Sequence, residues 1–115
     1  MRKLYHPARN DITLPEVLYA LSDPLRLKIV SELADTNEKT CGGLGVDLAK
    51  STLSHHCKVL REAGVINTRS ESTYNFLSLR REDLEARFPG LIDALINAYA
   101  VSEGVNADVH VHTIK

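Results

Sequence analysis

KSTLSHHCKVLREAG, residues 50–64, reads more clearly as a helix than any other part of the chain. Leu53, Cys57, Leu60 and Gly64 step by four, three and four, which draws one inward seam and ends it on a glycine suited to a C-cap. The outward positions are Lys50, Ser51, Thr52, Ser54, His55, Lys58 and Arg61. None is apolar, and most can donate hydrogen bonds. A protein-docking face would carry exposed aromatic or aliphatic groups there. Short donors between cations are instead the residue types that meet base edges and phosphates in double-stranded DNA. His56 is rotated about 100° from His55, toward the packed side, so a part-buried, hydrogen-bonded imidazole is expected there rather than half of a metal pair.

Downstream of Gly64 the period changes to two. Residues 65–69 and 73–79 read as strands joined by a polar turn at Ser70, Glu71 and Ser72, with Arg69 near the tip as a further phosphate contact. Arg80 and Arg81 are as easily solvent-exposed as DNA-facing. A two-stranded hairpin is marginal alone and must pack on the helices. Residues 80–87 form a charged helical turn, Phe88-Pro89-Gly90 breaks it, and Leu91, Ile92, Leu95, Ile96 and Tyr99 line a last amphipathic helix. Upstream, Thr13-Leu14-Pro15-Glu16 has the form of a capping box, opening a short helix with Val17 and Leu18. Ser22-Asp23-Pro24 stops that helix and starts another, over 24–34, whose buried face is Leu25, Ile29, Val30 and Leu33; Arg26 and Lys28 fall outside that face. A short irregular helix is expected near 43–48, and its glycines match no phosphate-cradling pattern.

The reading is mainly α with a small β-hairpin, an α+β winged helix-turn-helix with extra helices at both ends. It divides into a tail over 1–12, the domain over 13–103 and a second tail over 104–115. The net charge of −1 hides a local excess: residues 50–81 carry six basic and two acidic side chains, +4 against −5 for the remainder. A basic patch on an acidic body suits a DNA binder. No apolar run reaches the ~20 residues of a membrane span, the N-terminus lacks a signal-peptide core, and two cysteines make no secreted disulfide framework. A cytoplasmic protein with no membrane role is expected. In a monomer, much of the apolar stripe on the last helix would be wet, so a homodimer is expected, with Val17, Leu18, Leu91, Leu95 and Tyr99 at its interface.

The stretches LSDPLRLKIVSEL, residues 21–33, and STLSHHCKVLREAGVI, residues 51–66, followed by a short wing, resemble the ArsR (arsenical-resistance repressor) family of bacterial regulators. The resemblance covers nearly all of residues 14–100. It implies a dimeric winged helix joined through its first and last helices, with the helix at 50–63 as recognition helix and residues 65–79 as wing. Family members typically repress their own operons and release DNA on sensing a metal, metalloid or oxidant, and some have no known inducer site. The sensor half of the pattern departs from the family. Cys41 stands without the second thiolate of a Cys-x-Cys motif, Gly43 occupying that place; Asp93 is followed by Leu95 where zinc- and nickel-type members have histidine.

No cofactor is expected and no metal site is assigned. Cys41 and Cys57 are candidates for a redox or soft-metal pair, though two small apolar fillers are the plainer reading. His110 and His112 share a face in an extended chain and are candidate zinc or nickel ligands with Asp108, joined by His6 from the N-terminus of a partner copy, against the plainer reading of a polar tail. An enzyme is disfavoured: His55 and His56 lie on a helix with no nucleophile motif. The alternatives carried forward are a protein-interaction winged helix and a metal- or redox-responsive repressor, its small inducer unknown.

Overall fold

Two side-chain caps set the helical frame. In the computed structural model, which describes residues 4–104, the Thr13 hydroxyl accepts from the Glu16 N–H at 3.4 Å and opens α1 (Leu14–Ala20). The Asp23 carboxylate accepts from the Leu25 N–H at 2.8 Å and the Arg26 N–H at 3.2 Å, and Pro24 takes the first position of α2 (Pro24–Ala34). The chain continues through β1 (Lys39–Thr40), a 3₁₀ turn at Cys41–Gly43, α3 (Lys50–Glu62), β2 (Ile66–Glu71), β3 (Tyr74–Leu79), α4 (Arg81–Arg87) and α5 (Leu91–Glu103). The expected winged-helix fold is the one observed.

The hairpin strands pair antiparallel from Ile66 opposite Leu79 to Glu71 opposite Tyr74, and β1 joins the other edge of β3, giving the order β1-β3-β2. The third strand is an addition to the expected two. The turn is tighter than expected: Ser72 and Thr73 alone join the strands, with Ser72 at φ +58°. Two-residue hairpin loops use left-handed backbone to match the strand twist. The helix expected near 43–48 is absent; beyond Gly43 the chain turns irregularly, in keeping with the helix cost of about 1 kcal/mol for each glycine. Ile29, Leu33, Leu60, Ile66, Leu77 and Leu84 meet in one core, sealed from solvent between α2, α3, α4 and the sheet.

Residues 4–12, expected as part of a tail, lie packed on the domain. Pro7 and Ile12 are buried, and the Arg87 guanidinium donates two hydrogen bonds to the Ile12 carbonyl, at 2.7 and 3.1 Å. Ile12 sits directly under Gly64, whose φ is +89°; a Cβ there would lie 2.6 Å from Ile12 Cγ1. Both the left-handed backbone and the close approach require glycine at this junction of helix and wing. No helix among the described residues is long and apolar enough to cross a membrane. Residues 105–115, with His110 and His112, lie outside the described part of the chain.

Candidate nucleic-acid interface

The outer face of α3 is built on its buried one. Cys57 and Leu60 are buried in the seam, Leu53 packs against the core, and His56 is buried as the helical rotation predicts. Arg26 is the unexpected neighbour. Placed outside the apolar face of α2 by sequence, it is only 6 % exposed. Its Nε donates to the Ala20 carbonyl at 2.6 Å, and Nη1 lies 3.2 Å from His56 Nδ1. A guanidinium can only donate, so His56 Nδ1 accepts and the ring proton resides on Nε2. This bridge ties the end of α1, the first turn of α2 and the middle of α3. Burial pushes Asp23 up, but the Arg26 and Leu25 N–H bonds and the nearby Arg26 charge outweigh it, holding its carboxyl below the usual range.

With α3 so seated, Lys50, Ser51, Thr52, Ser54, His55 and Lys58 are all exposed on its outer face. The N-cap of α3 is Ala49, which supplies no side-chain acceptor to the first N–H groups of the helix. Free helix N–H groups beside Lys50 and Ser51 suit a phosphate.

The arginines behave differently from the expectation. Arg61, read as an outward cation, is turned back along the molecule: its Nε donates to the Tyr5 carbonyl at 3.0 Å, and its side chain is only 13 % exposed. Arg69, read as a free phosphate contact at the wing, is held by both oxygens of Glu38, at 2.9 and 3.1 Å, and by Glu71 at 2.6 Å, while it stacks over the Phe76 ring. The Arg69 hydrogen bond keeps the Glu38 carboxyl below its usual range. Arg80 pairs with Asp83, and Arg81 with Asp93 and the Ala34 carbonyl. Asp83 and Glu71 are three and two residues from their arginines, but the other partners lie 12 to 56 residues away in the chain, where sequence spacing carries no sign of them.

Between α3 and the hairpin, Cys41 and Cys57 line one cavity of about 150 Å3 with Leu4, Arg61, Thr68, Asn75 and Leu77, and the exposed Ser54 borders it too. The Thr68 hydroxyl is buried there with no partner among the described residues. The neighbouring Cys57 thiol pulls Cys41 below the ordinary thiol range against the effect of burial, with Lys50 adding a smaller pull. The Cys41 thiol beside it and burial push Cys57 upward. Among the described residues no cluster of three or more histidine, cysteine or acidic side chains is placed to hold a metal ion.

At the far end, Leu18 is 43 % and Tyr19 66 % exposed on α1, with Leu14 beside them and Val101 exposed on α5. A groove of about 400 Å3 runs between Leu21, Pro24, Leu27, Leu95 and Tyr99. Val17, expected at a dimer interface, is fully buried within its own chain and offers no surface to a partner. Leu91 and Leu95 pack partly on the chain's own core.

Residues 23–68 match the bacterial regulatory protein, arsR family. An uncharacterized HTH-type transcriptional regulator of Bacillus subtilis, YceK, is 37 % identical over 89 residues, spanning 75 % of this chain and 89 % of its own. The biofilm growth-associated repressor of Agrobacterium fabrum is 38 % identical, over 76 % of this chain and 72 % of that protein. The transcriptional activator HlyU of Vibrio cholerae is 34 % identical over 68 % of this chain and 73 % of its own. The reduced form of HlyU superposes with a TM-score of 0.61 at 32 % identity, covering 79 % of this chain and 93 % of that one.

Proposed function

Since the chain belongs to the arsR family of bacterial regulatory proteins and is a transcriptional regulator with a DNA-binding winged helix, we propose that it binds an imperfect palindromic operator as a homodimer and represses transcription there. The observation that carries the reading is the outer face of α3, where Ser51, Thr52, Ser54 and His55 stand exposed between Lys50 and Lys58 with no apolar side chain among them. A helix bearing such a face fits the major groove, its serines and histidine reaching base edges and its lysines the phosphates. The exposed apolar groups of α1 and α5 and the groove beside them support a two-fold partner on that face. Two copies so joined would read half-sites about one or two helical turns apart. Repression follows the Agrobacterium relative, whereas HlyU bears the opposite sign in its name. The protein would act in the cytoplasm, with the DNA.

The test separates base reading from charge. Ser54→Ala or His55→Ala is expected to lower affinity for a duplex selected from a random pool by about 1–3 kcal/mol, with little change on unselected DNA. Lys58→Ala is expected to weaken both and to reduce the salt slope by about one phosphate's worth. Equal losses on both DNAs for Ser54 and His55 would remove them from base recognition.

A second reading adds a signal to the first. The cavity shared by Cys41 and Cys57 favours a thiol-responsive regulator, because a group added to Cys41 would press on the seam that seats α3. Its lowered thiol makes Cys41 the more reactive of the two.

A further inference from the structure

The N-terminal strap is fastened to both halves of the DNA-facing surface at three consecutive residues. Arg61, in the last turn of α3, donates to the Tyr5 carbonyl at 3.0 Å. The Thr68 N–H of β2 donates to His6 Nε2 at 3.0 Å. Arg80 Nη1, at the head of α4, donates to the Pro7 carbonyl at 2.8 Å. The first and third of these use a guanidinium and a carbonyl, which keep their roles at any ordinary pH. The middle one does not.

A backbone N–H can only donate, so His6 Nε2 must be bare; the Leu4 carbonyl, 3.1 Å from Nδ1, can only accept, so Nδ1 must carry the proton. Both nitrogens are therefore committed to one tautomer of the neutral ring. A second proton would fall on Nε2 and set a donor against a donor. The charged groups facing His6 are Arg61 from α3 and Arg80 from the head of α4. The carboxylates paired with these arginines are Glu62, 3.7 Å from Arg61, and Asp83, bonded to Arg9 at 2.7 Å and Arg80 at 2.9 Å. Burial lowers the His6 pKa most; the Leu4 carbonyl opposes, and the two arginines add to the lowering.

We propose that His6 is a proton-sensitive clip that holds the recognition helix and the wing in register, fastened when neutral and released when protonated, so that acid loosens the protein's hold on DNA. The last clause rests on the DNA-binding reading of α3; the clip itself does not. The sign follows from linkage. A released strap takes up its proton near the ordinary histidine value of 6.5, and the docked strap only below that. Docking is then complete above 6.5 and is lost progressively as the pH falls toward the lowered value. Because the strap bridges two elements that must meet DNA together, freeing it lets them move apart.

The experiment compares the full chain with His6→Gln, whose amide oxygen accepts from Thr68 without titrating, and with His6→Phe, which cannot accept. Hydrogen-exchange protection of the Thr68 amide and the His6 ring nitrogen shifts are followed by NMR from about pH 7.5 to 5.5. Affinity for the selected duplex is followed over the same range. In the wild type, Thr68 protection is expected to fall by roughly three- to ten-fold, the net effect of one hydrogen bond, while His6→Gln stays level and His6→Phe is low throughout. Affinity is expected to fall by a similar factor more in the wild type than in His6→Gln; every other residue is the same in both, so the difference reports His6 alone. Identical Thr68 profiles in wild type and His6→Gln would overturn the clip, whatever the DNA does. Protection that follows His6 while affinity ignores it would overturn the link to DNA. Failure to select any duplex would refute the DNA reading, and the amide profiles would still decide the clip.

Discussion

Alanine at Gly64 would put a methyl group where Ile12 already lies. The Cβ would stand 2.6 Å from Ile12 Cγ1 and 2.8 Å from Cδ1, well inside contact distance, and Ile12 is fully buried, so it cannot swing into solvent. Two costs arise. Holding an L-residue at φ +89° costs about 1–2 kcal/mol, and overpacking a filled site costs about 1–3 kcal/mol. The stiffer unfolded chain returns about 0.4–1 kcal/mol. The net expectation for Gly64→Ala is a loss of about 2–4 kcal/mol, a large part of the ~5–15 kcal/mol typical of a domain. Gly90 serves as the control. Its φ is +81°, yet nothing lies within 4 Å of its Cβ position, so Gly90→Ala should cost about 1 kcal/mol from the backbone alone.

Urea unfolding of both variants at one protein concentration, with midpoint and slope fitted together, measures the difference. Adding Ile12→Ala to Gly64→Ala should recover about 1 kcal/mol or more of the steric part, because the two side chains compete for one space. A Gly64→Ala protein no weaker than Gly90→Ala, or strictly additive losses in the Ile12 double variant, would refute the claim that the strap fits under this glycine.

Two further outcomes are expected. Leu18→Glu places a carboxylate on the exposed apolar face of α1 without disturbing the chain's own core, and should yield folded monomers that lose operator affinity; an unchanged dimer by sedimentation would move the interface elsewhere. Iodoacetamide should modify Cys41 in the native protein well before Cys57 and weaken operator binding about ten-fold in the wild type but not in Cys41→Ser; full affinity after complete modification would make both cysteines structural.

What was legible in the sequence was what repeats along it. The seam of α3 follows the helical period, the hairpin follows a period of two, and Thr13 and Asp23 announce helix starts through local chemistry that the structure reproduces at 2.8 to 3.4 Å. β1 escaped because two residues carry no period; it exists because the edge of β3 at Phe76 and Leu77 offers unpaired backbone. The strap escaped because residues 4–12 hold on through long-range bonds, and only Pro7 and Ile12 are buried.

The arginines matter most for function, because local sequence does not determine where a long flexible cation ends up. The +4 of residues 50–81 suggested a local basic patch facing DNA. In the folded chain Arg61 serves the strap, Arg69 is neutralised by Glu38 and Glu71, and Arg80 and Arg81 face Asp83 and Asp93. Lys50 and Lys58 remain as exposed cations on the outer face of α3. Few phosphate contacts imply weak non-specific binding and a shallow salt dependence. On the proposed reading, operator binding would depend on neutral donors at Ser54 and His55, and on the placement of α3 by Arg26 and the strap, more than on charge. Contacts of that kind tolerate little misalignment, so on this reading the groups that hold α3 in place would bear on DNA affinity as directly as the groups proposed to touch it.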